Sequence, residues 1–125
     1  MMHHKKSLLA DSKTISAQQL KDKLDSNSDS IVINVLGKET YVDCHITGSI
    51  NIPYDALIET VASWDKDKDV VVYCAQNNCS KSKDAYDLLV DLGFSNIHEY
   101  QGGMREWFHK KFDTTGLCTL KYLHE

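Results

Sequence analysis

Blocks of apolar residues, separated by polar segments with helical spacing, predict strands joined by helices. Two runs, Ile31-Val32-Ile33-Asn34-Val35 and Val70-Val71-Val72-Tyr73-Cys74, are apolar on both faces, as strands buried in a parallel sheet are. Residues 97–100 are predicted to form another strand, and residues 50–53 a short one that ends at Pro53, because proline lacks the ladder N–H. The predicted fold class is α/β, with helices on both faces of the sheet.

Caps and apolar spacing predict the helices. Ser16 and Gln19 form a capping-box pattern that opens a helix over about residues 17–25. Residues 39–42 predict a single turn, and Asp55 is expected to cap a further helix. Apolar residues at positions 85, 88, 89 and 92 predict a helix that Gly93 ends, and Gly102-Gly103 is expected to open the last one.

Composition and charge narrow the function classes. The chain has 125 residues, 42% of them hydrophobic, which is enough to bury the core of one domain. We expect residues 1–13 to be a flexible N-terminal segment and residues 14–125 to form this domain. A net charge of −4 without a basic block argues against a nucleic-acid partner. No apolar stretch approaches the roughly 20 residues that span a membrane, and no signal peptide is apparent, so the expected location is cytoplasmic.

The four cysteines, Cys44, Cys74, Cys79 and Cys118, are too few and too irregularly spaced to indicate a disulfide framework. We therefore expect reduced thiols, and we interpret Cys44 and Cys118 as ordinary buried or surface residues. The chain has no Cys-x-x-Cys or His-x-x-x-His spacing, so neither a metal site nor a cofactor is predicted.

Cys74 is the residue best placed for chemistry. It stands where a strand ends and a polar loop leads into a helix, and ligands of α/β sheets bind at that edge. The positive end of a helix dipole lowers the pKa of a nearby cysteine, and the thiolate is the nucleophilic form. Backbone N–H groups from residue 75 to about residue 81 are expected to point inward as a cradle for negative charge.

Several segments, in order, resemble the motifs of the rhodanese-like (sulfurtransferase) family over about residues 14–108. His45-Ile46-Thr47-Gly48-Ser49-Ile50-Asn51-Ile52-Pro53 is similar to the family's His-Ile-x-Gly-Ala-x-Asn-Ile-Pro. Val71-Val72-Tyr73-Cys74 resembles the strand with the reactive cysteine, and Gly102-Gly103-Met104-Arg105-Glu106-Trp107 the later Gly-Gly-x-x-x-Trp. The resemblance implies a central, mostly parallel, five-stranded sheet flanked by helices on both faces, followed by a tail, residues 109–125.

The resemblance also implies a reaction and the residues that perform it. A sulfurtransferase of this family moves a sulfane sulfur from thiosulfate or a persulfide donor to a thiol or cyanide acceptor, through a persulfide on Cys74. A protein sulfur carrier is a further candidate partner. The implied active loop consists of Ala75, Gln76, Asn77, Asn78, Cys79, Ser80, Lys81 and Ser82.

Departures from the family pattern keep other functions open. Asn34-Val35-Leu36 replaces the usual Asp-x-Arg, and Cys79 stands in the place of the loop arginine. The loop resembles the family's variant with a second cysteine and a serine three residues later. A cysteine phosphatase is disfavoured, because no arginine lies between Cys74 and Arg105 to bind phosphoryl oxygens. The alternatives are a non-catalytic binding or regulatory module and a Cys74/Cys79 redox sensor.

Three further residues or segments have open or structural interpretations. Cys79 is a resolving thiol for Cys74, a residue that adjusts the fit of the loop, or a small buried side chain. The tail is expected either to pack on the domain or to supply a dimer contact. Asn34 is interpreted as hydrogen-bonded scaffolding near the site.

Overall fold

The computed structural model describes residues 13–26 and 28–125, so the predicted flexible segment, apart from Lys13, lies outside the described residues. Ser16 caps the first helix, α1 (Ala17–Asp25). The Ser16 hydroxyl accepts a hydrogen bond from the Gln19 backbone N–H at 3.0 Å, and the Gln19 side chain accepts one from the Ser16 N–H at 2.9 Å. This reciprocal pair satisfies two donors that a helix start leaves without partners, and it confirms the predicted capping box.

Four parallel strands form the central sheet. They are β1 (Ile31–Asn34), β3 (Ile50–Asn51), β4 (Val70–Tyr73) and β5 (Ile97–Tyr100). Their order is β3-β1-β4-β5, so β1 and β4 are the inner strands. Val32 of β1 lies opposite Val71, and Val72 lies opposite Glu99 of β5. The two inner strands are the two runs that are apolar on both faces. Such a strand has another strand on each side and helices over both faces, so side chains on both of its faces are buried.

A fifth strand is reduced to one bridge. Thr14 pairs in parallel with Glu99. The Ile15 N–H donates to the Glu99 carbonyl at 3.1 Å, and the Glu99 N–H donates to the Lys13 carbonyl at 2.9 Å. The predicted count of five strands is therefore wrong for the described residues, because the chain turns into α1 after a single pairing position.

Helices cover both faces of the sheet, as predicted. They are α2 (Lys38–Asp43), α3 (Leu57–Val61), α4 (Lys81–Asp91) and α5 (Gly103–His109), with 3₁₀ turns at Tyr54–Ala56 and Lys121–His124. Side chains alternate along β4: Val71 and Tyr73 pack on the side of α1 and α5, whereas Val70, Val72 and Cys74 pack on the side of α3 and α4. Within the described part of the chain, no helix is both long and apolar enough to cross a membrane.

One predicted helix boundary is confirmed and another is wrong. Gly93 follows α4 with φ +100°, in the left-handed region. Its N–H donates to the Val90 carbonyl at 3.0 Å, and the next N–H donates to the Leu89 carbonyl at 3.0 Å, which is the Schellman pattern. Asp55 does not cap α3, because it lies inside the preceding 3₁₀ turn and the cap position belongs to Ala56.

The tail packs against the domain, on the face that carries α1 and α5. Its strand β6 (Thr114–Thr115) pairs antiparallel with β2 (His45–Ile46), and Leu123 is fully buried. Cys118 forms a disulfide with Cys44, with a Cα–Cα distance of 4.5 Å. The expectation that these two cysteines are unpaired is therefore wrong, since the fold brings together residues that are 74 positions apart.

Asp43, the last residue of α2, also holds the tail. Its side chain accepts hydrogen bonds from the Thr119 N–H at 3.0 Å, the Thr119 hydroxyl at 2.6 Å and the Leu120 N–H at 3.2 Å. Burial opposes the charged form of this carboxyl, but the hydrogen bonds from Thr119 and Leu120 outweigh burial and lower the pKa of Asp43.

Candidate active site

Cys74 directly follows β4, at the carboxyl edge of the sheet. Its carbonyl accepts the Met104 N–H at 2.9 Å, and the Ala75 carbonyl accepts the Arg105 N–H at 2.9 Å. The first turn of α5 therefore fixes the backbone on both sides of the Cys74–Ala75 peptide bond. This anchoring places the cysteine independently of the loop that follows it.

Gly103 makes the close approach of α5 feasible. Its φ of +67° lies in the left-handed region, which is unfavourable for every residue that carries a Cβ. A Cβ at this position would also lie 2.8 Å from the carbonyl oxygens of Cys74 and Ala75. The second glycine of the Gly-Gly motif is therefore required both for its backbone conformation and for its contact with the cysteine.

The loop after Cys74 turns back onto it. The Cys79 N–H donates to the Gln76 carbonyl at 2.9 Å, and the Cys79 sulfur forms a disulfide with Cys74. The two Cα atoms are 6.6 Å apart. This pairing also contradicts the expectation of reduced thiols. Cys74 is 0% exposed while Cys79 is half-buried, so Cys79 covers the Cys74 sulfur.

The predicted cradle of inward amides does not surround the Cys74 sulfur in this disulfide form. Among the described residues, no loop N–H donates to this atom, and the Cys79 N–H is used within the loop. The polar atoms within hydrogen-bond distance of this sulfur, among the described residues, are the Cys79 carbonyl oxygen at 3.8 Å and the Ser82 Oγ at 3.4 Å. The prediction assumed a thiolate, whereas a disulfide sulfur carries no net charge to attract amides.

Ser82 connects Cys74 to a buried carboxylate. The Ser82 hydroxyl donates to Glu99 Oε2 at 2.8 Å, and both side chains are 2% exposed. The Gln101 side chain lies 3.4 Å from the other Glu99 oxygen, and no salt bridge found within the described ranges includes Glu99. Sequence reasoning named Ser82 but missed Glu99. The available signal was the strand period of two, which places Glu99 on the same face as Ile97.

The other predicted loop residues lie at the surface or at its margin. Asn77, Asn78, Ser80 and Lys81 are exposed, whereas Ala75 and Gln76 are partly buried. A groove of about 420 Å³ opens beside the loop, between Gln76 and Asn77 on one side and α5 with Lys110 on the other. Two of the predicted substrate-binding residues therefore line a surface groove, whereas neither Cys74 nor Cys79 lines it.

Tyr73 fixes the strand that carries Cys74 from the opposite face. Its hydroxyl accepts hydrogen bonds from Asn34 Nδ2 at 3.1 Å and from the Ile46 N–H at 3.1 Å, and lies 2.9 Å from the Ser49 Oγ. Burial raises the pKa of Tyr73 to about 12, so the phenol stays neutral. These contacts join β4 to β1 and to the His45–Pro53 motif, and they confirm the scaffolding interpretation of Asn34.

Comparison of the sequence and the fold with known proteins identifies the family of this chain. The model of the rhodanese-like domain family matches residues 16–110. The chain belongs to this family. Two solved structures share the rhodanese-like fold. The BH2092 protein of Bacillus halodurans has a TM-score of 0.77 at 26% identity, covering 93% of this chain and 83% of that one. The rhodanese-like domain of the Anabaena protein Alr3790 has a TM-score of 0.76 at 27% identity, covering 86% and 82%.

Rhodanese-like relatives with curated names include enzymes. The thiosulfate sulfurtransferase GlpE of Pseudomonas savastanoi pv. phaseolicola is 32% identical over 78 residues, covering 62% of this chain and 72% of that protein. The protein of the same name in Stutzerimonas stutzeri is 29% identical over 83 residues, covering 66% and 74%. These relatives support a rhodanese-type sulfurtransferase. An HTH-type transcriptional regulator of Mycobacterium tuberculosis, Rv0324, is 34% identical over 76 residues, covering 61% of this chain and 33% of that protein.

Proposed function

We propose that this rhodanese-like protein takes a sulfane sulfur from thiosulfate or a persulfide donor onto Cys74 and passes it to a thiol or cyanide acceptor. The observation that supports this most is the position of Cys74. It ends an inner strand of a parallel sheet, its backbone is anchored by α5, and the loop that follows leads to the N-terminus of α4. Ligands of α/β sheets bind at this edge, and the positive end of a helix dipole favours a thiolate.

The transfer proceeds as two displacements. The Cys74 thiolate attacks the outer sulfur of thiosulfate, the sulfur–sulfur bond breaks, and sulfite leaves with the bonding electrons. An acceptor thiolate or cyanide then attacks the outer sulfur of the Cys74 persulfide, and the Cys74 thiolate leaves. Sulfite and thiolate are both stable anions, so neither step requires a strong general acid, and ping-pong kinetics are expected.

The reaction starts from the reduced protein, because a disulfide sulfur is not a nucleophile. Reduction frees Cys79 from the Cys74 sulfur that it covers. In the reduced form the Cys74 thiol can donate to Ser82 Oγ, since the Ser82 hydrogen is directed at Glu99. Arg105, Lys110 and one carboxylate, Glu106, line the groove beside Gln76 and Asn77, and the excess of basic side chains favours the approach of an anionic donor such as thiosulfate.

Sulfite release tests the first displacement. Protein reduced with dithiothreitol and then desalted is mixed with thiosulfate, and sulfite is measured without any added acceptor. We expect about one equivalent of sulfite per wild-type chain and none from Cys74→Ser, because the covalent intermediate needs the nucleophile. A Cys44→Ser/Cys118→Ser protein is the matched control and should release the wild-type amount. Sulfite from Cys74→Ser, or none from wild type with thiosulfate and no loading by glutathione persulfide, would contradict the proposal.

A redox-regulatory module is the second candidate, and the Cys74–Cys79 disulfide is the observation that favours it. In that function the disulfide itself would be the signal, and sulfur would not be transferred. Reversible formation of the Cys74–Cys79 disulfide by a mild oxidant, in a protein that releases no sulfite, would support this candidate over the enzyme.

A further inference from the structure

We infer that Cys79 is a second catalytic residue, whose thiolate resolves the Cys74 persulfide, expels hydrosulfide and closes the Cys74–Cys79 disulfide. The inference rests on the proposed transfer of sulfur to Cys74. It extends that proposal by naming a reducing dithiol as the terminal electron donor, with hydrosulfide as the released product.

The turn of the loop brings the two sulfurs together. Cys79 lies five positions after Cys74, and the hydrogen bond from its N–H to the Gln76 carbonyl, 2.9 Å long, reverses the chain. The Cα–Cα distance of 6.6 Å lies within the range that disulfides span. The Cys79 carbonyl oxygen is also 3.8 Å from the Cys74 sulfur. The backbone of Cys74, held by α5, therefore need not move for the two cysteines to react.

The surroundings of Cys79 favour a nucleophile. It directly precedes Ser80, which is the N-cap residue of the 11-residue helix α4. The helix dipole at that end stabilises a thiolate. Cys74 is fully buried, so an external acceptor must first reach a covered sulfur, whereas Cys79 already lies over it. A nucleophile held in place has a large effective concentration and should react before a diffusing acceptor.

The structure also indicates which persulfide sulfur is attacked. Cys79 is bonded to the inner sulfur, that of Cys74 itself. The bond that forms is therefore Cys79 Sγ–Cys74 Sγ, and the bond that breaks joins the inner to the outer sulfur. The outer sulfur takes the bonding electron pair and, with one proton from solvent, leaves as hydrosulfide. The sulfane sulfur gains two electrons, and the pair of cysteines loses two.

A dithiol then completes the cycle. One thiolate of the dithiol attacks the more exposed Cys79 sulfur, and Cys74 leaves as the thiolate. The second thiol of the same molecule attacks the mixed disulfide and frees Cys79. Summed over the cycle, thiosulfate and a dithiol yield sulfite, hydrosulfide, a proton and the oxidised dithiol. The reductant is thus consumed stoichiometrically with the sulfur donor.

A single-turnover experiment separates this step from sulfur loading. Protein is reduced with dithiothreitol, desalted to remove it, and mixed with one equivalent of thiosulfate. Sulfite, hydrosulfide and intact mass are then measured. For wild type we expect about one hydrosulfide per sulfite, and iodoacetamide trapping with peptide mapping should find a Cys74–Cys79 disulfide. For Cys79→Ser and Cys79→Ala we expect sulfite still to be released, with less than about a tenth of the wild-type hydrosulfide per sulfite and a gain of about 32 Da on Cys74.

Two controls sharpen the result. The Cys44→Ser/Cys118→Ser protein keeps the loop pair and should release hydrosulfide as wild type does. Cyanide added after a delay should yield about tenfold more thiocyanate from Cys79→Ser than from wild type, because only the variant still holds the persulfide.

The outcomes distinguish the two proposals. Wild-type protein that releases sulfite but keeps the additional 32 Da on either cysteine, without hydrosulfide, would overturn the role of Cys79 and leave the sulfur transfer standing. Equal hydrosulfide release from wild type and Cys79→Ser would do the same. No sulfite from any form, together with no loading of Cys74 by glutathione persulfide, would overturn the proposed function, and this inference with it.

Discussion

The two disulfides of this protein differ in the segments that they connect and in their surroundings. Cys44–Cys118 joins the end of α2 to the tail across 74 positions, and both residues belong to the apolar cluster that includes Tyr73 and Trp107. Cys74–Cys79 joins positions five apart in a polar loop, at the carboxyl edge of the sheet. The first bond links distant segments, whereas the second covers one sulfur.

The same bond therefore has different consequences in the two places. In the chain-entropy description, closing the long loop stabilises the fold by about 4 kcal/mol and closing the short loop by about 2 kcal/mol. Only the second pair lies near a helix N-terminus and a buried hydroxyl–carboxylate pair. The long-range disulfide thus serves stability, and the local one is placed for exchange chemistry.

Removing the long-range disulfide should produce the largest loss of stability. We expect Cys44→Ser/Cys118→Ser to lower the free energy of unfolding by about 4 kcal/mol, because the unfolded chain loses its long covalent loop. Urea unfolding without reductant measures this loss, with Cys79→Ser as the matched variant, for which about 2 kcal/mol is expected. Equal losses in the two variants would show that the two disulfides contribute equally to the free energy of unfolding, contrary to this prediction.

Two glycine substitutions separate backbone conformation from contact with the cysteine. Gly103→Ala should cost about 3 kcal/mol, since a positive φ is combined with a Cβ 2.8 Å from the Cys74 and Ala75 carbonyls. Gly93→Ala, with φ +100° and no heavy atom within 4 Å of its Cβ, should cost only about 1 kcal/mol. Urea unfolding and the rate of sulfite release are the measurements. Only Gly103→Ala should slow sulfite release, and equal effects would argue against the anchoring role of α5.

Acid should loosen the contact between Asp43 and the tail. The folded-state pKa of Asp43 is lowered, so its contribution is present above the unfolded value of about 3.9 and is lost as pH falls through the folded pKa. The effect should be about 1 kcal/mol or less, because water screens a half-exposed carboxylate. Amide exchange of Thr119 and Leu120 from pH 6 to pH 3 measures it. Asp43→Asn should remove the dependence, and unchanged protection in wild type down to pH 3 would contradict it.

Local signals in the sequence predicted the local elements well. The Ser16–Gln19 capping box, the Gly93 helix end and the two inner strands all appear in the structure, because their determinants lie within a few residues. Cys74 also lies at the predicted carboxyl edge of the sheet. Asp55 is the exception: its cap signal was overridden when residues 54–56 formed a 3₁₀ turn.

Features that depend on distant residues could not be predicted in the same way. Nothing near Cys44 or Cys118 indicates that they pair, since the two segments meet through the antiparallel contact of β2 with β6 and through the hydrogen bonds from the tail to Asp43. The amide cradle was predicted for an anion, and pairing with Cys79 removes that anion. The Ser82–Glu99 contact depends on the side-by-side packing of α4 and β5, although strand alternation does give the face of Glu99.

The hydrogen bonds from α5 to Cys74 and Ala75 have a consequence for how this site can vary. They anchor the backbone of Cys74 and Ala75, so residues 76–80, which connect this anchored pair to α4, carry no part of that task. Insertions, deletions or grafted sequences at positions 76–80 should then leave the sulfur atom where it is while altering which molecules can reach it. Placement of the nucleophile and choice of its reaction partner are separable properties of this fold, open to independent change by evolution or by design.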